Sequence, residues 1–519
     1  MKRYFIICLV LFFALNVFAQ RPINKLVVRA DSAEQKISKF IYGHFAEHLG
    51  RCIYGGIWVG RNSKIPNIRG YRKDVLTALK AIHVPVIRWP GGCFADTYHW
   101  KEGIGPYSKR PRIVNTTWGG VVEDNSFGTH EFLEFCELLG AEPYISVNVG
   151  SGTVREASEW VEYVNSTYDI PMVKLRHKNG RLKPWNVKFW GIGNETWGCG
   201  GIMSADYYAN VLSRYSFFMK NYGETKLYKI ASSGLPEDFN WTEIIMKKWK
   251  NTDTWLQDYM SGYSLHYYTV IDWNKKGSAI NFTEKEWFII LQKALYLDEL
   301  IKKHSEIMDR YDPEKRIGLV VDEWGTWYDV EPGVNPAFLY QQNSLRDAIV
   351  AAISLNIFNN HCDRVKMANL AQLVNVLQSV IITKDEQIVL TPTYYVFKMF
   401  SVHQDATLLP TKLECEEYSY GEEKIKSLNV SASRDKDGKI HISIVNLDPN
   451  NVKELECKIL GSNVEKGSAE IITAERMNAF NDFGKTEEVN IKPFEKFKLE
   501  DDRLIVSLPP KSIVMFELE

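Results

Sequence analysis

The sequence predicts an α/β protein: a (β/α)8 TIM barrel followed by a C-terminal antiparallel, jelly-roll-like β-sandwich. From about residue 40 to about residue 400, short β-rich runs alternate with longer helical stretches, the pattern of a parallel sheet with crossover helices. Eight such runs can be counted in that span, the number that closes a barrel rather than leaving an open sheet. After about residue 400 the runs become short and alternating, divided by polar turns, which reads as a sandwich. The 519 residues accommodate a barrel of roughly 250 to 400 residues and an accessory module.

The eight runs are Phe40 to Phe45, Val84 to Trp89, Pro143 to Val149, Val187 to Gly193, Tyr228 to Ser233, Tyr263 to Tyr268, Ile317 to Asp322 and Arg364 to Leu370. Between them lie helical segments such as Thr129 to Leu139, where Phe132, Phe135, Cys136 and Leu139 share one face and Gly140 supplies a stop. Later strands include Ile440 to Asn446, Ala469 to Thr473 and Leu504 to Leu508, and the early run Lys25 to Ala30 is expected to pair with them. The expected division is residues 1–19 as a leader, 20–39 as N-terminal strand, 40–400 as barrel and 401–519 as sandwich.

The leader reading rests on Met1-Lys2-Arg3, an apolar run from Tyr4 to Leu15, and small residues up to Ala19. The run is shorter than the roughly 20 apolar residues of a spanning helix, so cleavage after Ala19 and export, periplasmic or secreted, are expected, with no membrane anchor in the mature form. Cleavage would leave Cys52, Cys93, Cys136, Cys199, Cys362, Cys415 and Cys457. Their odd number prevents complete pairing, and their spacing shows neither a disulfide framework nor a Cys-x-x-Cys metal pattern. Lys+Arg 63 against Asp+Glu 64 gives no electrostatic reason to expect nucleic acid or an anionic membrane as partner. The 15 Trp, 26 Tyr and 25 Phe suit either sugar stacking or a large core.

Polar residues gather where the predicted strands end, and in a (β/α)8 barrel the C-terminal strand ends build the active site. Glu195 and Glu323 each end an apolar run on opposite sides of the barrel and would face one cleft. A retaining glycosidase needs such a pair about 5 Å apart, one protonating the leaving oxygen and the other attacking the anomeric carbon. The bland reading, each Glu paired with a neighbouring cation, explains one such residue more readily than two. Asn194 suits a donor to the hydroxyl beside the anomeric carbon, and Arg88 could hold Glu323 ionised. His44, His48 and His266 could converge on a metal near Glu47, but the flanking Gly43 and Gly50 mark a strand end rather than a metal-binding helix. No cofactor is expected.

Six blocks then carry a specific resemblance: GHFAEHLG from Gly43, VIRWPGGCFADTYHWKEGIGP from Val86, FWGIGNETWGCGG from Phe189, SLHYYT from Ser264, VVDEWGTW from Val320 and MANLAQLVN from Met367. In order and approximate spacing the chain resembles glycoside hydrolase family 51 over nearly its whole mature length. The resemblance implies a retaining α-L-arabinofuranosidase with Glu195 as acid/base and Glu323 as nucleophile. It implies sugar contacts from Glu47, Asn194, His266, Tyr268 and Gln372, and pocket walls from Trp118 and Trp327, which could equally be core aromatics. It also places Cys93 against the sugar where some relatives carry Asn; a thiol is a weak donor and would shape the pocket more than orient the substrate. The expected substrate is an arabinose-containing polysaccharide or oligosaccharide, with terminal residues removed from arabinan or arabinoxylan, and the expected assembly is a homo-oligomer. Endo-β-glucanase or β-xylosidase activity is the alternative within the family, and a non-catalytic carbohydrate-binding protein the alternative outside it.

Overall fold

The computed structural model describes residues 24–33, 35–500 and 503–519; the expected leader lies outside them. Eight parallel strands close a barrel in chain order: Gly43–Phe45, Val86–Trp89, Glu142–Val147, Phe189–Ile192, Tyr228–Ala231, Gly262–Thr269, Gly318–Thr326 and Val365–Ala371. Several, such as Val86–Trp89 and Phe189–Ile192, are buried at every position. This is the consequence of packing helices outside and side chains inside, and it explains why they read as apolar runs. Val86, Tyr144, Phe189, Ile230, Val320 and Met367 plug the barrel interior as a cluster of their own. Arg88 and Asp322 are buried along the same strands nearer their C-terminal ends.

Two strands depart most from expectation. Lys39–Tyr42 is a 3-10 turn capped by Ser38, whose hydroxyl accepts the Phe40 N–H, so the first barrel strand starts only at Gly43. A Cβ at Gly43 would lie 2.5 Å from Val86 Cγ1, which leaves no room there for a larger residue. The seventh strand instead runs on to Thr326, pairing His266 with Glu323 and Tyr268 with Gly325 across to the sixth. Its register with the eighth strand shifts between Val321 and Trp324. Such an irregularity re-aims side chains, and here the consecutive Asp322 and Glu323 both reach Arg88.

Thr129–Leu139 is a helix, its start fixed by Glu131 accepting the Gly128 N–H at 2.9 Å and its end by Gly140 at φ 75°. The helix Leu345–Asn360 is buried at every position but its last because it lies between barrel and sandwich. There Asn356 donates to Asn429 Oδ1 at 2.9 Å and accepts from Ser443 Oγ at 2.6 Å. The sandwich packs a six-stranded sheet centred on Ile440–Asn446 and Ser512–Leu518 against a five-stranded sheet. That second sheet includes Asn24–Arg29, which runs antiparallel to Thr411–Glu414 but parallel to Lys453–Leu460. Among the described residues no helix is long and apolar enough to cross a membrane.

Candidate active site

Glu195 follows the fourth barrel strand with a left-handed backbone, φ 40°, which costs a non-glycine residue about 1–2 kcal/mol. Its neighbours hold it there. The Glu195 carbonyl accepts the N–H groups of Gly198 and Gly200 at 2.8 and 3.1 Å, and the Asn194 N–H donates to Asp96 Oδ2 at 2.9 Å. Asp96 also accepts the Val149 and Gly150 N–H groups at 2.7 and 2.9 Å, so one buried carboxylate ties the ends of the third and fourth strands together.

Glu323 accepts from Arg88 Nη1 at 2.7 Å and from the Tyr268 hydroxyl at 2.8 Å. Arg88 turns its other terminal nitrogen to Asn194 Oδ1 at 2.6 Å, which leaves the Asn194 amide nitrogen directed elsewhere. His266 joins the two carboxylates: Nδ1 lies 3.0 Å from Glu195 Oε1 and 3.6 Å from Glu323 Oε2, while Nε2 lies 3.3 Å from Asp322 Oδ1. Ligand atoms of Glu195, His266 and Glu323 all fall within 4.8 Å of one another. Burial opposes a charge on His266, but the Glu323, Asp322 and Glu195 carboxylates outweigh it and raise its pKa to about 10. The ring is therefore an imidazolium at neutral pH. Asp322 takes further hydrogen bonds from Tyr144 and Ser264 at 2.7 and 2.5 Å; despite its burial, Arg88 and His266 hold it well below the usual carboxylate range.

Glu47 lies deep, 2% exposed, accepting the Phe94 N–H and the Gln372 amide, both at 3.0 Å. Burial and the nearby Glu323 charge push its pKa up to about 7. Gln372 Oε1 is buried without a partner among the described residues, which suits it to a sugar hydroxyl, and the Trp118 indole N–H faces the Glu47 carboxylate. Trp327 stands edge-on to Tyr268 at 5.0 Å and to the exposed Trp273 at 5.6 Å, forming an aromatic wall at the mouth. His44 and His48 do not join His266: the first ring packs on Phe397 and the second on Phe94.

One expectation is corrected outright. Cys93 is not a thiol; it forms a disulfide with Cys199, 106 residues away, and Cys199 Sγ sits 3.8 Å from Glu195 Oε2. Seven scattered cysteines gave no sign of it because the pairing exists only once two strand ends meet. Asp96, Tyr144, Ser264 and Trp273 have no role in the sequence reading, and Asp322 only marks the polar end of the seventh run. Of these, Asp322 had a usable signal, standing next to Glu323 at a predicted strand end.

Two carboxylates this close, above the C-terminal ends of a (β/α)8 barrel and lined by polar groups and aromatics, define the class as a glycoside hydrolase. Residues 78–280 match the α-L-arabinofuranosidase 1 domain and residues 322–512 the α-L-arabinofuranosidase C-terminal domain. An intracellular exo-α-L-arabinofuranosidase of Bacteroides ovatus is 52% identical over 496 residues, 95% of each chain. The structure of the GH51 arabinofuranosidase from Xanthomonas axonopodis pv. citri aligns with a TM-score of 0.93 at 45% identity, covering 96% of this chain and all of that one. That of the Thermotoga maritima α-L-arabinofuranosidase in complex with arabinose aligns at 0.81 and 33% identity, covering 95% and 99%. The chain belongs to the α-L-arabinofuranosidases of glycoside hydrolase family 51.

The comparison also corrects the expectation of export. The Bacteroides ovatus relative, matched over 95% of both chains, is named an intracellular enzyme, so the basic and apolar N-terminus does not establish a periplasmic or secreted location.

Proposed function

We propose that the chain is a retaining, exo-acting α-L-arabinofuranosidase that removes terminal α-L-arabinofuranosyl residues from arabinan, arabinoxylan or derived oligosaccharides. The observation that carries the retaining mechanism is that one oxygen each of Glu195 and Glu323 lies within 4.8 Å of the other, in keeping with carboxyl groups roughly 5–5.5 Å apart in retaining enzymes. Glu323 attacks the anomeric carbon while Glu195 gives its proton to the departing glycosidic oxygen. Water then attacks the glycosyl ester with Glu195 accepting its proton, and Glu323 leaves as carboxylate. His266 serves both halves. Its Nδ1 stands 3.0 Å from Glu195 Oε1 and 3.6 Å from Glu323 Oε2, so one ring positions both carboxylates.

Glu47, Asn194, Tyr268 and Gln372 bind the sugar, Arg88 orients Asn194 and Glu323, and Trp118 and Trp327 wall the pocket. The disulfide of Cys93 adds a sulfur wall rather than a donor. The exo reading draws support from depth: the Glu323 side chain is 7% exposed and that of Glu195 22%, so the leaving group departs on the solvent side. Residues 40–400 form the catalytic unit, and 20–39 with 401–519 the sandwich. A homo-oligomer is proposed on the family resemblance and is testable by light scattering.

The deciding assay compares 4-nitrophenyl α-L-arabinofuranoside with the β-D-xyloside and β-D-glucoside, following by NMR the anomer first released. Rapid release of α-arabinofuranose supports both substrate and mechanism. Cleavage of β-glucan or xylan with no turnover of the arabinofuranoside would overturn the reading.

A further inference from the structure

The Cys93–Cys199 disulfide stands at the acid/base itself. Cys199 is exposed and Cys93 half-buried, so the bond is open to a small reductant. The remaining described cysteines offer little competition: Cys52, Cys136, Cys362 and Cys457 are buried, and the half-buried Cys415 lies in the sandwich portion. One ligand atom from each of Cys93, Cys199 and Glu195 falls within 4.8 Å of the others.

We infer that reduction of this disulfide creates a site for a thiophilic divalent cation, zinc or cadmium, formed by the Cys93 and Cys199 thiolates with the Glu195 carboxylate. In a tetrahedral site, sulfur and oxygen donors bonded at about 2.3 and 2.0–2.2 Å stand about 3.5–3.7 Å apart. Cys199 Sγ and Glu195 Oε2, at 3.8 Å, are close to that spacing. The sulfurs must separate, which rotation about the Cα–Cβ bonds of the half-buried Cys93 and exposed Cys199 allows while the Gly198 and Gly200 hydrogen bonds keep the Glu195 backbone in place. Asn194 Nδ2, 3.7 Å from Cys199 Sγ, can donate to a thiolate there. A water supplies the fourth position.

The chemistry balances with a dithiol as reductant. The dithiol gives two electrons and two protons to the disulfide and becomes a cyclic disulfide; the cation then displaces the two thiol protons. A bound cation takes the lone pair through which Glu195 would carry its proton, so the oxidised bond keeps the acid/base free of metal. The loss of activity rests on the reading of Glu195 given above; the binding does not.

The test uses the full chain reduced with dithiothreitol, freed of reductant without air and titrated with cadmium. Thiol counting should show two cysteines gained on reduction. The sulfur-to-cadmium charge-transfer absorption should then saturate at one ion per chain, and be absent from the oxidised protein and from reduced Cys93→Ser and Cys199→Ser variants. Arabinofuranosidase activity should fall by more than tenfold with the same saturation and return on adding a chelator. No absorption in the reduced protein, equal absorption in the Ser variants, or a bond that dithiothreitol does not open would each overturn the proposal. Saturable absorption with undiminished turnover would uphold the site and count against Glu195 as the acid/base.

Discussion

Glu195 and Glu323 differ in their surroundings in the way that the proposed acid/base and nucleophile roles require. Arg88 and Tyr268 both donate to Glu323, whereas Glu195 meets one ring nitrogen and a sulfur. Glu195→Ala should therefore slow arabino-oligosaccharides far more than aryl arabinofuranosides with good leaving groups, which need little protonation; equal losses in kcat/KM on both would count against the acid role. Asp322 is a positioning residue acting through His266. In Asp322→Asn the imidazole should lose part of its raised pKa and titrate nearer neutrality by NMR, with kcat falling more than KM rises; an unmoved titration would show the contact to be structural only. For Glu47 the sign follows from a folded pKa of about 7 against an ordinary 4.5: the native state binds the extra proton, so stability falls as pH rises from about 4.5 to 7. Glu47→Gln, a neutral mimic, should gain Tm relative to the parent across that window, and a constant difference would refute the shift. The two carboxylates proposed as catalytic could be singled out because each ends an apolar run. Cys199 was not, because its partner is set by three-dimensional approach, nor was the inward turn of Asp322, which depends on a register shift with no signature of its own.

Among the elements, the eight barrel strands could be found from their apolar runs but not bounded. Phe40, Ile41 and Tyr42 look like the start of a strand, yet the Ser38 cap makes them a 3-10 turn. Gly325 looks like a stop, yet the strand passes through it at φ 149°, where a Cβ would lie 3.1 Å from the Ala371 carbonyl oxygen. Helix Leu345–Asn360 is the element whose surroundings sequence could not give, since its polar residues suggest a solvent face. Asn356 and Asn360 bond to the sandwich instead, and Arg346, Asp347 and Asn359 bond within the barrel. Asn356→Ala leaves Asn429 and Ser443 each short of a buried partner and should cost about 1–3 kcal/mol, read as a Tm lowered by several degrees with KM unchanged. An unaltered Tm would mean that water replaces the amide there.

At the scale of the molecule, barrel and sandwich share a boundary too apolar to expose. Trp287 donates across it to the Leu447 carbonyl at 3.0 Å, and the face of Leu345–Asn360 has no other cover. Removing residues 401–519 should thus give an insoluble barrel rather than a free catalytic domain. A soluble, monodisperse product with native arabinofuranosidase activity would contradict that.

The first described strand carries one more implication, for biosynthesis. Asn24 donates to the Glu454 carbonyl, 430 residues further on, beside a parallel pairing with Lys453–Leu460. At about 5–20 residues per second, a ribosome needs about 20–90 s to deliver that partner. This early strand must wait without that partner until translation is nearly over, so the nascent barrel has to tolerate an incomplete sheet for most of its time on the ribosome.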